Sequence, residues 1–181
     1  MIAAMVAIVL PDPSLVVLIG AAGSGKSTLA ARLFAAEEVV SSDALRARIS
    51  GDEADQRVSG VAFRILHRMV GERLARAQLT VVDATNAEAA VRRPLVARAR
   101  AAGITVTAIV LDIEPATVAR QNAERARVVD DEVIERHLAA IRQTVDTDVL
   151  PSEGFDNVVI LRTPADARGL TIDRRPTLPQ G

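Results

Sequence analysis

The sequence predicts an α/β fold, in which a mostly parallel sheet of about five strands carries helices on both faces. Apolar, β-branched runs alternate with helical patterns along the whole chain, which is typical of parallel sheets. Of the 181 residues, 49% are apolar and 25% are charged, enough for a packed core. No repeat, low-complexity tract or linker interrupts the pattern, so residues 1–181 are expected to form a single domain.

Short apolar runs bounded by turn residues predict the strands. They lie at 14–19, 39–42, 79–82, 104–111 and 157–161. The apolar stretch 1–10 is interpreted as a further strand, buried at the edge of the sheet. Residues 173–181 are expected to form a frayed tail.

Apolar positions spaced at about 3.6 residues predict the helices. They cover 26–36, 43–49, 58–77, 87–102, 116–125 and 131–145, with a short helix or coil from 164. Pro94 is predicted to start the main part of the fourth helix, because proline suits a first turn and not a helix interior. Arg92 and Arg93 are interpreted as a charged helix start. His67 and His137 lie on apolar stripes and are expected to be packed or half-buried.

The composition excludes several classes of function. The chain has no cysteine, so disulfides, thiolate zinc sites and cysteine nucleophiles are excluded. Aromatic residues make up 2% of the chain, which argues against the stacking platforms of common nucleic-acid binders. The net charge of −1 indicates no global basic field. The stretch 1–10 is too short to span a bilayer and lacks a positive start, so a cytoplasmic protein without a membrane partner is expected.

The most informative motif follows the strand at 14–19. Residues 20–28 read GAAGSGKST and match G-x-x-x-x-G-K-[ST], with the strand before and the helix after that the motif requires. Lys26, the single lysine of the chain, is predicted to contact the β- and γ-phosphates, and Ser27 to offer an oxygen to Mg²⁺. The residues predicted to bind ATP in this loop are Gly23, Ser24, Gly25, Lys26, Ser27 and Thr28.

Such a loop indicates binding of a nucleoside triphosphate and leaves the reaction open. Guanine specificity would need an N-K-x-D motif, which is impossible here because the single lysine lies in the loop. A motor protein would normally be longer, so the small size favours a phosphotransferase.

Two carboxylates follow later strands, where ligands gather in parallel sheets. Asp43 ends the strand at 39–42, and a kinase needs such a carboxylate to accept the proton of the attacking hydroxyl. Asp83 ends the strand at 79–82 and opens the sequence DATN, a position similar to a Walker B carboxylate near Mg²⁺. For both residues the alternative is a helix cap, which Asn86 could also provide.

Arginines are the candidates for holding phosphates. Arg46 lies one helical turn after Asp43 and shares its face. Arg125 and Arg127 lie in a stretch, about 118–145, that suits a helical lid over the transferring phosphate. Arg120 is interpreted as a solvated helix charge.

Several segments together carry a more specific resemblance. They are PDPSLVVLIGAAGSGKSTLA, VVSSDALR, DEADQRVSGVAFRILH, LTVVDATN followed by RRPL, ERARVVDDEVIERH and EGFDNVVIL, within residues 8–162. In these segments the chain resembles the 5′-hydroxyl polynucleotide kinase module of bacterial end-healing enzymes. The resemblance implies a P-loop kinase fold and the transfer of the γ-phosphate of ATP, with Mg²⁺, to a 5′-OH end of DNA or RNA.

The resemblance also implies roles for the matching residues. Asp43 would be the general base, Arg46 would hold the phosphate next to the acceptor nucleoside, and Arg125 would be the catalytic lid arginine beside Lys26. Arg127 would join Arg125 on ATP. The acceptor side would be formed by Asp43, Arg46, Gln56, Asp83 and Val133.

The chain departs from the family at Gln121, where an arginine is often found. Either Arg127 compensates or the contact with ATP is weaker. Signatures of a phosphatase and of a ligase are missing from the sequence, so these activities are expected on separate partner chains. Two alternatives remain: a kinase of a small metabolite or nucleotide sugar, and a non-catalytic ATP-binding regulator, against which Asp43 argues.

Overall fold

The computed structural model describes residues 7–52, 55–124 and 128–177. Its strands are β1 (Ala7–Asp12), β2 (Ser14–Gly20), β3 (Val39–Ser41), β4 (Thr80–Asp83), β5 (Thr105–Leu111), β6 (Asn157–Leu161) and β7 (Thr171–Pro176). Its helices are α1 (Lys26–Leu33), α2 (Ser42–Ser50), α3 (Ser59–Ala75), α4 (Ala89–Ala101), α5 (Pro115–Ala123), α6 (Asp131–Asp146), α7 (Leu150–Glu153) and α8 (Pro164–Gly169). None of these helices is long and apolar enough to cross a membrane.

The main sheet has five parallel strands in the order β3-β4-β2-β5-β6. Every residue of β2 is buried, because this strand has a neighbour on each side and helices flank the sheet. That position explains its uninterrupted apolar sequence. The α/β fold class predicted from the sequence is confirmed, and the strand order places the carboxyl ends of β2, β3 and β4 side by side.

The first and last strands form a second sheet, which the sequence analysis missed. β1 pairs in parallel with β7, from Ala7 opposite Thr171 to Asp12 opposite Pro176. The prediction of a buried edge strand was therefore wrong, since β1 lies outside the main sheet and Leu10 is its one fully buried residue.

The predicted frayed tail was also wrong over Asp173–Pro176, which belongs to β7. Arg174 fastens this strand to the region after α1. Its guanidinium donates to both carboxylate oxygens of Glu38 at 2.7 and 2.8 Å and lies 5.7 Å from the centre of the Phe34 ring. These contacts join residues far apart in the chain, so local sequence patterns do not show them.

Pro94 does not start its helix. The first turn of α4 is held by the N–H groups of Val91 and Arg92, which donate to the Glu88 carbonyl at 3.0 and 3.3 Å. Pro94 lies inside α4, where it has no N–H to donate to the Ala90 carbonyl, so the helix lacks one backbone bond there.

Candidate active site

The loop between β2 and α1 has the backbone shape that its glycines predict. Gly23 and Gly25 have positive φ angles of 81° and 93°, which side chains disfavour. A Cβ on Gly23 would lie 3.0 Å from the Val118 carbonyl oxygen and 3.2 Å from the Asn122 nitrogen. Glycine at position 23 therefore serves both the turn and the close approach of α5.

Lys26 begins α1 and points back along the loop. Its Nζ donates to the Ala21 carbonyl at 2.7 Å, and the residue is 9% exposed. Its cationic charge is therefore held beside the backbone N–H groups of the loop and the positive end of α1. This arrangement attracts a polyphosphate.

Ser27 and Asp83 meet at the carboxyl end of the sheet. The Ser27 hydroxyl donates to Asp83 Oδ2 at 2.7 Å. Asp83 lies there because β4 pairs with β2 and with β3 at this level, opposite Leu18 and Ser41. Adjacent hydroxyl and carboxylate oxygens are suitable ligands for Mg²⁺, which usually binds one or two protein oxygens together with phosphate oxygens.

Asp43 lies in the first turn of α2 without capping it. The cap is Ser41, whose Oγ accepts from the Ala44 N–H at 3.4 Å. Asp43 instead forms an ion pair with Arg46, as their shared helix face predicts, and its Oδ1 also accepts from Ser42 Oγ at 3.3 Å. The Arg46 side chain is 8% exposed and that of Asp43 is 39% exposed. The carboxylate is thus oriented by a buried arginine while keeping access to solvent.

The cap alternative is wrong for Asp83 and Asn86 as well, because Glu88 is the N-cap residue of α4.

A cleft of about 1160 Å³ joins these groups. That volume exceeds the usual range of about 300–1000 Å³ for one small ligand. The cleft contains every predicted site residue that the structure describes: Gly23, Ser24, Gly25, Lys26, Ser27, Thr28, Asp43, Arg46, Gln56, Asp83 and Val133. Gln121 also lines it. Arg125 and Arg127 lie outside the described residues, so their placement stays a prediction.

Residues 15–147 match the AAA domain family, AAA_33. The chain belongs to this family. The matched residues include the phosphate-binding loop, Asp43 and Asp83. No curated protein sequence is significantly similar to it.

Solved structures share the fold of this AAA domain at low sequence identity. A chain of the Pnkp1/Rnl/Hen1 RNA repair complex has a TM-score of 0.64 and 20% identity, over 76% of this chain and 47% of that one. This AAA domain chain thus spans about half the length of that repair protein. A sugar kinase from Janibacter sp. has a TM-score of 0.55 and 18% identity, over 83% and 85% of the two chains. The Mycobacterium tuberculosis APS kinase CysC has a TM-score of 0.52 and 19% identity, over 88% of this chain and 95% of that one.

Two buried polar residues make contacts that the sequence analysis did not predict. Asn122 of α5 is 1% exposed, and its side chain donates to the Val129 carbonyl at 2.8 Å and accepts from the Val129 N–H at 3.0 Å. Arg92, interpreted together with Arg93 as a charged helix start, has a side chain that is also 1% exposed and pairs with Glu153. The partner of Arg92 is distant in the chain, and no spacing rule reveals it.

His137 of the AAA domain lines the cleft from α6. It is half-buried, as predicted, but its position beside the loop was not expected. Burial lowers the pKa of His137, the charges of Lys26 and Arg136 lower it further, and Glu88 opposes them. His67, on α3, also has a lowered pKa, because of burial and the charge of Arg98.

Because both histidines have lowered pKa values, we expect the free energy of unfolding of the protein to fall in mild acid. Among the described residues, the Nδ1 atoms of His67 and His137 are buried without a hydrogen-bond partner. The unfolded chain takes up protons below about pH 6.5, the ordinary pKa of histidine, more readily than the folded protein does. Folding stability should therefore fall as the pH drops below this value.

Urea unfolding at pH values on either side of that pKa measures the loss, and the double variant H67Q/H137Q should show a smaller one. An equal loss in the double variant would mean that other groups cause it.

Proposed function

We propose that this chain is an ATP-dependent kinase that transfers the γ-phosphate to the 5′-OH end of DNA or RNA. One observation carries the proposal: the Asp43–Arg46 pair lies in the same cleft as the phosphate-binding loop. A carboxylate oriented by an arginine and facing a triphosphate site suits an acceptor hydroxyl with a phosphate next to it. The fold shared with a chain of an RNA repair complex supports a role in end healing.

In the proposed reaction, Asp43 accepts the proton of the 5′-hydroxyl as its oxygen attacks the γ-phosphorus. The bond between the γ-phosphorus and the bridging oxygen of ADP breaks, and ADP leaves. Lys26 holds the β- and γ-phosphates, with Arg125 and Arg127 as lid arginines. Ser27 and Asp83 would hold Mg²⁺, which would supply positive charge to the phosphates.

The acceptor side of the cleft suits binding of a polynucleotide through contacts near its 5′ end. In this proposal Arg46 holds the phosphate next to the terminal nucleoside, with Gln56 and Val133 flanking the nucleoside. The described charged residues lining the cleft are Lys26, Arg32, Arg46 and Arg168 on the basic side and Asp43, Asp83, Glu88, Glu124 and Asp130 on the acidic side. Such a mixture does not build an extended basic groove, so affinity should come from contacts near the 5′ end. Separate phosphatase and ligase chains would complete a repair.

Arg46→Ala is expected to raise KM for a 5′-OH oligonucleotide while leaving KM for ATP nearly unchanged. Long oligonucleotides should gain little over short ones. Counterion release scales at about 0.7 per phosphate contacted on single strands, so the salt slope of KM should be roughly one to two. Steady-state kinetics on oligonucleotides of increasing length, at several salt concentrations, measures all three effects.

Arg48→Ala is the matched control, since Arg48 lies on the same helix and is exposed. It should change neither KM. A steep salt dependence of KM together with a strong dependence on oligonucleotide length would reveal an extended basic groove. That result would contradict binding through the 5′ end alone.

A kinase of a small metabolite or nucleotide sugar is the second candidate. The specific observation in its favour is length, because this chain covers 85% of the sugar kinase and 95% of the APS kinase. A radiolabel transfer assay that offers 5′-OH oligonucleotides alongside sugars and nucleosides separates the candidates. Transfer to a small acceptor, with none to a 5′-OH end, would put the metabolite kinase first. ATP binding without transfer to any acceptor would favour a regulator.

A further inference from the structure

The most deeply buried ion pair among the described residues is formed by side chains that do not line the cleft. Arg92 of α4 and Glu153 of α7 have side chains 1% and 2% exposed. The Arg92 Nε and Nη2 atoms donate to the two carboxylate oxygens of Glu153 at 2.7 and 2.6 Å. This bidentate geometry leaves the third guanidinium nitrogen, Nη1, facing another part of the chain.

Arg92 Nη1 holds the turn that follows Asp83. It donates to the Asn86 carbonyl at 3.1 Å and to the Ala87 carbonyl at 2.6 Å. Asn86 has a φ angle of +48°, a conformation that few residues other than glycine adopt and that asparagine tolerates better than most. The two bonds from Arg92 therefore support an uncommon backbone turn three residues after Asp83.

The same turn is fastened on its other side to the start of the phosphate-binding loop. Asn86 Nδ2 donates to the Leu18 carbonyl of β2 at 2.7 Å. The Gly20 N–H donates to the Thr85 carbonyl at 3.1 Å. A continuous chain of hydrogen bonds thus runs from Glu153 through Arg92 and the turn to the first glycine of the loop.

We propose that the Arg92–Glu153 pair is a positioning element for the Ser27–Asp83 centre. By holding the turn at 84–87, it fixes the distance between the end of β4, which carries Asp83, and the loop, which carries Ser27. The inference rests on the proposed binding of ATP with Mg²⁺ and not on the identity of the acceptor. It also gives a role to α7, which lies beyond the residues that match the family.

The energetics of buried charge make this role testable apart from stability. A buried ion pair costs desolvation, and replacing both partners by apolar side chains of similar size is often neutral or stabilising. The double variant R92M/E153M leaves no unpaired buried charge and should therefore fold, although the Asn86 and Ala87 carbonyls lose their donors at some cost in stability. Glu153→Gln is the complementary variant, since it keeps Arg92 and removes the charge that orients it.

Calorimetric titration with a non-hydrolysable ATP analogue, with Mg²⁺ and with EDTA, is the experiment. Both variants should bind about tenfold more weakly in Mg²⁺, the lower end of the effect of residues that orient metal ligands. In EDTA their affinity should stay close to that of the unchanged protein. Arg93→Met, at the exposed neighbour of Arg92, should bind normally in both conditions.

Leu95→Ala controls for stability, because it opens a cavity in the same helix. It should lower the melting temperature without a Mg²⁺-specific loss of affinity. Folded R92M/E153M or E153Q protein with full affinity in Mg²⁺ would overturn the inference, and so would an equal loss in Mg²⁺ and in EDTA. If the unchanged protein bound ATP no better with Mg²⁺, the inference and the kinase would both fall. Normal Mg²⁺-dependent binding without transfer to 5′-OH ends would overturn the proposed acceptor alone.

Discussion

Replacing Lys26 with alanine is expected to abolish phosphoryl transfer. Lys26 is the single lysine of the chain, and its Nζ already lies within the loop, 2.7 Å from the Ala21 carbonyl. Without Lys26, no lysine ammonium group would stabilise the negative charge on the γ-phosphate and on the leaving ADP. Losing one well-placed donor at such a charge costs about 10²–10³-fold in kcat, and losing a full charge should cost at least as much.

Single-turnover transfer measured with saturating acceptor tests this expectation, and thermal unfolding checks that α1 still forms. Lys26→Arg is the informative companion, because it keeps the charge but changes its shape and reach. If Lys26→Ala kept more than a few per cent of the activity, Lys26 would have no part in the mechanism.

Asp43→Asn should lower kcat by roughly 10²–10⁴-fold, the usual contribution of a positioned general base. An amide cannot take the proton of the acceptor hydroxyl. Its oxygen can still accept a hydrogen bond from Arg46, so the position of the side chain should persist. ATP affinity should change little, because the loop, and not Asp43, is placed to hold the phosphates.

Steady-state kinetics together with equilibrium ATP binding separates these effects. Glu37→Gln, an exposed change just before β3, is the matched control and should leave both quantities unchanged. A collapse of ATP affinity with an unchanged kcat would show that Asp43 acts through the structure of α2 and not as a base.

Local sequence predicts those parts of the site whose contributing residues lie close together in the chain. The strand, the glycines and Lys26 of the loop are contiguous, so one motif predicts both its shape and its charge. Asp43 and Asp83 were found by a rule of topology, since the carboxyl ends of parallel strands share an edge. Both residues line the cleft, and their roles stay predictions.

The contacts that sequence reasoning missed join distant segments. Arg92 looks like any charged residue near a helix start, and its burial depends on Glu153 in α7. β7 was missed because most of its residues are exposed, so no apolar alternation marks it as a strand. In both cases the stabilising partner is set by the completed fold and leaves no local trace.

The pairing of β1 with β7 also determines how the protein resists mechanical force. Because the two strands are parallel, Ala7 at the start of β1 and Pro176 at the end of β7 lie at opposite ends of the ladder. Tension applied between these residues pulls the strands past each other and loads all of the ladder's hydrogen bonds together. In an antiparallel pair pulled from adjacent ends, the backbone hydrogen bonds would instead break one after another. Tension between Ala7 and Pro176 would therefore load the β1–β7 pair in shear.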